Sequence, residues 1–91
     1  VSVVLVAHNE SQRIRRKLQN LFASTKALQI REVLIGSDGS TDGTAVIAGA
    51  FPDHRVKVAD FTERRGKPAV INDLAAKCRG DVILFLDARQ D

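Results

Sequence analysis

The sequence predicts an α/β fold in which parallel strands are joined by helical crossovers. Short apolar runs recur at 2–7, 32–37, 56–59 and 82–86. Between them lie stretches whose apolar residues return at helical spacing. Each apolar run gives way to polar turn residues rather than to a tight hairpin. Strand alternating with helix in this way implies a mostly parallel sheet with right-handed connections.

Each element has its own justification. Residues 2–7 are nearly all apolar and rich in Val, as suits a strand buried on both faces. The run ends at His8-Asn9-Glu10, and Ser11 opens a helix. Ile14, Leu18, Leu21 and Phe22 make one apolar face of that helix, while Arg13, Arg15, Arg16 and Lys17 mostly take the other. No aromatic residues interleave with those charges, so the basic face reads as solvated. Residues 32–37 are the second strand, and Asp38 stands where it stops. Gly39 permits a bend that a Cβ would resist. Ser40 and Thr41 are candidate N-caps, and Asp42 favours the positive end of the helix expected over 44–51. Pro52 ends that helix. A short third strand at 56–59 leads into a charged loop at 60–66, and Pro68 suits the first turn of a third helix. Ile71, Leu74, Ala75 and Cys78 would line its apolar face, and Gly80 would stop it. The fourth strand at 82–86 delivers Asp87 at its end.

The 91 residues suffice for one small domain. Val1 already lies inside an apolar run and Asp91 follows another, so the chain reads as part of a longer protein. The net charge is +3, a mildly basic balance that suits an anionic ligand. Trp and Tyr are absent and there are 4 Phe, so the stacking platforms of a single-strand nucleic-acid binder are missing, and no nucleic-acid partner is expected. The single cysteine, Cys78, forbids an internal disulfide and fits a reducing compartment. No apolar run reaches the length of a bilayer span, and no signal peptide is visible. Membrane association of the parent is expected only through regions other than these.

In a parallel sheet the carboxyl ends of the strands share one edge, and ligands bind outside that edge where strand order reverses. His8-Asn9-Glu10, Asp38, Asp60 and Asp87 are expected along it. Acidic groups crowded there would repel one another unless a cation or a donor-rich ligand lay between them. Lys67 sits at a helix N-terminus, where the macrodipole disfavours a cation, a placement that makes sense beside an anion such as a diphosphate. Usual fingerprints are missing. There is no G-x-G-x-x-G and no G-x-x-x-x-G-K-[ST]. An EF-hand beginning at Asp38 would need its closing Glu where Gly49 stands. Strand-end chemistry by itself supports an α/β ligand-binding domain.

Four segments resemble glycosyltransferase family 2 and the nucleotide-sugar-binding half of its GT-A fold. Val3-Val4-Leu5-Val6-Ala7-His8-Asn9-Glu10 is similar to the family's opening strand and aromatic-Asn-Glu signature. Ser37-Asp38-Gly39-Ser40-Thr41-Asp42-Gly43-Thr44 looks like its D-G-S-x-D-x-T turn. Arg65-Gly66-Lys67-Pro68-Ala69-Val70-Ile71-Asn72 resembles R-x-G-K-x-x-A-x-N, and Leu84-Phe85-Leu86-Asp87 the strand entering the D-x-D motif. The resemblance covers essentially the whole chain. It implies a Rossmann-like three-layer sandwich, β-α-β-α-β-α-β, and transfer of a hexosyl group from a UDP- or GDP-linked sugar to an acceptor hydroxyl. By resemblance, His8 takes the place of an aromatic ring on the base, and Glu10 contacts base or ribose. Asp38 accepts a hydrogen bond from the base, and Lys67 lies near base and diphosphate. Asp87 binds a divalent metal, Mn²⁺ or Mg²⁺, or the ribose beside it.

Two departures qualify the resemblance. The D-x-D motif reads Asp87-Ala88-Arg89, so its second carboxylate is missing; Arg89 would place charge near the diphosphate, or Asp91 would supply the carboxylate. The acceptor half and its general base lie beyond Asp91, so the chain alone is expected to lack turnover. The acceptor is expected to be a carbohydrate or a lipid-linked group, and the parent to work in the cytoplasm or at the cytoplasmic face of a membrane. Two alternatives stay open. One is a non-catalytic α/β module for nucleotides or partners. The other is a nucleotidyltransferase, against which stands the lack of glycine in His8-Asn9-Glu10-Ser11.

Overall fold

A computed structural model describes residues 1–23, 29–79 and 82–87. In chain order the elements are β1 (Ser2–Ala7), α1 (Ser11–Ala23), β2 (Glu32–Asp38), α2 (Thr44–Gly49), β3 (Val56–Phe61), α3 (Lys67–Ala75) and β4 (Ile83–Asp87). The expected stop at Gly80, and the expected roles of Arg89 and Asp91, fall outside the described residues.

The four strands form one sheet in the order β3-β2-β1-β4, and every pairing is parallel. Leu5 lies opposite Ile35 on one side and Leu86 on the other. The chain builds outward from β1 to β2 to β3, then returns past β1 to lay down β4. Strand order therefore reverses between β1 and β4, directly below His8.

Side chains alternate across the sheet and bury two separate cores. Val3, Leu5, Val33 and Ile35 pack with Ile14 and Leu18 of α1 and Ala48 of α2. Val4, Val6 and Leu34 pack with Val70 and Leu74 of α3 on the opposite face. The result is the expected three-layer α/β sandwich. Helix α3 lies against β2 because Gly36 has no side chain. A Cβ there would sit 2.4 Å from Val70 Cγ1 and 3.0 Å from Leu74 Cδ1.

Several boundaries differ from expectation. Strand β3 runs two residues further, to Phe61, because Phe61 packs with the α3-side core and its carbonyl accepts the Gly39 N–H at 2.9 Å. Asp60 consequently lies within β3, opposite Ser37 and exposed, not in the loop beyond the strand. Helix α3 ends at Ala75, so Cys78 follows the helix instead of lying on it. It still packs against the α3-side core, and its thiol donates to the Leu74 carbonyl at 3.4 Å. Burial, then the nearby charge of Glu32, pushes the Cys78 thiol pKa up, which keeps it in the inert form. At the amino ends of the strands, Glu32 Oε2 accepts from Ser2 Oγ at 2.7 Å and from the Arg79 N–H at 2.5 Å. The Arg79 bond is the main reason the Glu32 pKa is lowered.

Candidate functional site

The carboxyl ends of β1, β2 and β4 bring the candidate residues to one rim. His8 directly follows β1. Its Nδ1 lies 2.6 Å from the Asp38 carbonyl oxygen. A carbonyl only accepts, so Nδ1 carries the hydrogen, and in the neutral ring Nε2 is left as an acceptor. Asp87, the last residue of β4, is in register with Val6, two residues before His8. Glu10 is buried beneath the rim, and its carboxylate lies 3.9 Å from the Arg13 guanidinium.

Asp38 is 2% exposed and carries more of the architecture than its sequence position suggested. Its Oδ1 accepts the Arg65 N–H at 2.6 Å and its Oδ2 the Gly66 N–H at 3.0 Å. One carboxylate therefore fixes the β3–α3 loop against the end of β2 and sets where Lys67, the first residue of α3, stands. Gly39 makes that contact possible. Its φ is +67°, and a Cβ would lie 2.7 Å from the Arg64 nitrogen. Arg65 also pairs with Asp73 along α3, and its guanidinium sits 5.1 Å over the Phe61 ring.

The β1–α1 and β2–α2 loops are stitched together just as closely. Asn9, at φ 51°, donates its N–H to Ser40 Oγ at 3.0 Å and accepts the Thr41 N–H at its Oδ1 at 2.7 Å. The Glu10 N–H donates to Thr44 Oγ1 at 3.0 Å, and that hydroxyl donates onward to Asp42 Oδ1 at 2.5 Å. Asp42 Oδ2 accepts the Ser11 N–H at 3.1 Å, and Oδ1 accepts the Thr44 N–H at 3.2 Å. Asp42 thus serves the first residues of both α1 and α2. The Thr44 hydroxyl is the largest cause holding the Asp42 carboxyl down at about 2. The expected N-caps do something else. Gly43 occupies the N-cap of α2, and Ser40 and Thr41 turn toward Asn9.

These contacts revise the electrostatic expectation for the rim. Asp38 is balanced by two backbone N–H groups, and Asp60 is exposed within β3, so the repulsion argument for a bound cation loses two of its acids. Among the described residues no group of three or more His, Cys, Asp or Glu side chains gathers as a metal centre. For a metal, Asp87 is the candidate at the end of β4, beside the switch point. An open groove of about 640 Å³ lies at the start of α1, lined by Asn9, Glu10, Ser11, Gln12, Arg13 and Asp42; of the candidate residues only Glu10 lines it. Sequence reasoning missed the bridging roles of Asn9, Asp42 and Thr44. The available signal was Asp42 two residues before Thr44, the spacing of an Asx turn.

Residues 2–88 match the family model described as glycosyl transferase family 2. A dolichyl-phosphate beta-glucosyltransferase of Drosophila melanogaster is 33% identical, over 97% of this chain and 30% of its own length. An undecaprenyl-phosphate 4-deoxy-4-formamido-L-arabinose transferase of Pseudomonas fluorescens is 32% identical, over 97% of this chain and 27% of its own. Among solved structures, a mannosyltransferase from Pyrobaculum calidifontis, in complex with GDP-Man and Mn²⁺, superposes with a TM-score of 0.83 at 29% identity. That match covers 96% of this chain and 26% of the mannosyltransferase. The chain therefore spans between a quarter and a third of these relatives.

Proposed function

The chain belongs to glycosyl transferase family 2, and on that premise we propose that it is the donor-binding part of an enzyme transferring a sugar from a nucleoside diphosphate to an acceptor hydroxyl. The observation that carries this reading is the meeting of three loops around Asp38, at the carboxyl end of β2. There His8 touches the Asp38 backbone while the Asp38 carboxylate holds the segment leading into Lys67. GDP and UDP are the donor nucleotides proposed; the mannosyltransferase neighbour, bound to GDP-Man, favours testing GDP first.

Each residue has a definite task in this reading. The Asp38 oxygens each accept one N–H and retain a second acceptor site, which takes an N–H from the base. His8 packs its ring on the base and offers Nε2 as an acceptor. Glu10 faces base or ribose. Lys67 sits beside the diphosphate at the start of α3, where the helix N-terminus adds to the favourable field for an anion. Asp87 would hold a divalent cation, for which the Mn²⁺ in the neighbouring structure is the support. When bound, such a cation neutralises charge on the departing diphosphate. The rest of the parent supplies the general base and the acceptor site. The names of two relatives support a lipid phosphate as an alternative acceptor class, with a phosphate oxygen in place of the hydroxyl.

The test is calorimetric titration of the full-length protein with GDP, UDP and ADP, each with Mn²⁺. Saturable binding of GDP or UDP, in preference to ADP, supports the proposal. A folded protein that binds none of the three overturns it.

A further inference from the structure

We propose that Thr44 and Asp42 are positioning residues that set donor affinity by locking two binding loops into one rigid rim. This inference rests on the donor-binding reading above. The loop carrying His8 and Glu10 is held from across the rim. Asn9 adopts a left-handed conformation, φ 51°, which Asn enters more readily than other residues with a Cβ. The bonds from Asn9 to Ser40 and Thr41 and from Glu10 to Thr44 fix the loop in that position.

Thr44 is the hinge of that arrangement. It is fully buried, and its hydroxyl stands between the Glu10 N–H and the Asp42 carboxylate. The relay runs from Glu10 N–H to Thr44 O–H to Asp42, and each bond polarises the next. Asp42 then reaches back to the Ser11 N–H, so the relay closes on the same loop from which it began. Neither Thr44 nor Asp42 is assigned a contact with the donor. They act through His8 and Glu10, whose loop the relay anchors to the turn that carries Asp38. A rim already in its binding conformation pays no ordering cost when the donor arrives.

The test compares Thr44→Val with Thr44→Ser in the full-length protein. Valine keeps the shape of threonine and removes the hydroxyl; serine keeps the hydroxyl and removes a methyl. Titration uses GDP and UDP with Mn²⁺, with a thermal melt of every sample. Thr44→Val is expected to weaken the nucleotide that the wild type binds by about tenfold, one unsatisfied buried bond transmitted to the site. Thr44→Ser is expected to stay within about threefold, since the relay persists. In steady state, the loss in Thr44→Val is expected in the donor KM, with kcat changing less.

Should Thr44→Val fail to fold, Asp42→Asn serves instead. It keeps one acceptor for Thr44 and sets an NH₂ group against the Ser11 N–H, so affinity should fall at least threefold. Equal affinity in wild type and a folded Thr44→Val, or in the Asp42→Asn substitute, overturns the positioning role and leaves the donor reading intact. So does a Thr44→Ser as weak as Thr44→Val. A wild type that binds neither nucleotide overturns the donor reading and this inference with it.

Discussion

Asp38 gives the sharpest test, because the side chain that holds the β3–α3 loop is also the proposed contact of the base. In Asp38→Ala the Arg65 and Gly66 N–H groups lose their partners together. Leaving a buried donor unsatisfied costs roughly 1–3 kcal/mol. Two such donors give a loss of about 2–6 kcal/mol, toward the lower figure where water reaches the exposed Arg65 side of the loop. Asp38→Asn behaves differently. Its amide oxygen still accepts one N–H, while its NH₂ group confronts the other, so the loss is about half as large. Stability should therefore fall in the order wild type, Asp38→Asn, Asp38→Ala. Urea unfolding of the full-length protein measures it, with GDP and UDP titrations on the same samples. Nucleotide binding should be lost in Asp38→Ala and weakened in Asp38→Asn. An Asp38→Ala protein whose unfolding free energy stays within about 0.5 kcal/mol of wild type, the range of an ordinary surface change, would refute the loop-holding role.

Two further outcomes follow from neighbouring residues. Gly39→Ala places a methyl 2.7 Å from the Arg64 nitrogen and 2.9 Å from its Cα, at φ +67°. The left-handed conformation alone costs an L-residue about 1–2 kcal/mol, and the overlap with backbone adds to it, so the urea midpoint should drop and nucleotide affinity with it; an unchanged midpoint contradicts the turn geometry. Acid sensitivity follows from Asp42 and Asp53, whose carboxyls are lowered from 3.8 to about 2, chiefly by the Thr44 hydroxyl and by the Arg55 guanidinium respectively. Depressed carboxylates stabilise the fold above their unfolded pKa and lose that contribution as pH falls through the folded one. The midpoint should therefore decline between about pH 4 and about pH 2, and Asp53→Asn should flatten that decline while lowering the midpoint at neutral pH. Equal slopes in the two proteins would count against the Asp53–Arg55 pair.

The order of elements was legible in the sequence because each one buries a regular pattern. Ile14 and Leu18 announce the inner face of α1, and the run from Val3 to Val6 announces a strand covered on both sides. Parallel pairing followed from the helices between strands. What the sequence could not reveal is how side chains at the rim choose partners. Ser40 and Thr41 have the chemistry of N-caps, yet they bond to Asn9, about thirty residues away in sequence, because the β1–α1 loop lies against them. Asp60 looked like the end of a strand because the apolar run stops at Ala59. The ladder continues to Phe61 because of what Phe61 packs against, and that partner is visible only in three dimensions.

On the donor-binding proposal, the rim must suit a ligand that carries both a base and phosphates. A parallel sheet delivers its loops from separate crossovers, so nothing in the chain's local geometry makes them agree in position. Here agreement is imposed twice. The Asp38 carboxylate binds the third loop to the second, and Thr44 with Asp42 binds the second to the first. Both ties use backbone N–H groups as donors, and the His8 ring adds a third contact to the Asp38 carbonyl. Asp38 contacts both neighbours, the His8 ring at its carbonyl and, through its carboxylate, the Gly66 N–H that precedes Lys67. On the proposed roles of His8 and Lys67, the ligand presents an aromatic or N–H-bearing group to the first and an anion to the second. That requirement fits a nucleoside diphosphate better than it fits either a nucleoside or inorganic phosphate alone. GDP should accordingly outbind both guanosine and phosphate in the same titration, and a protein that took phosphate alone as tightly as GDP would break the link between the two roles.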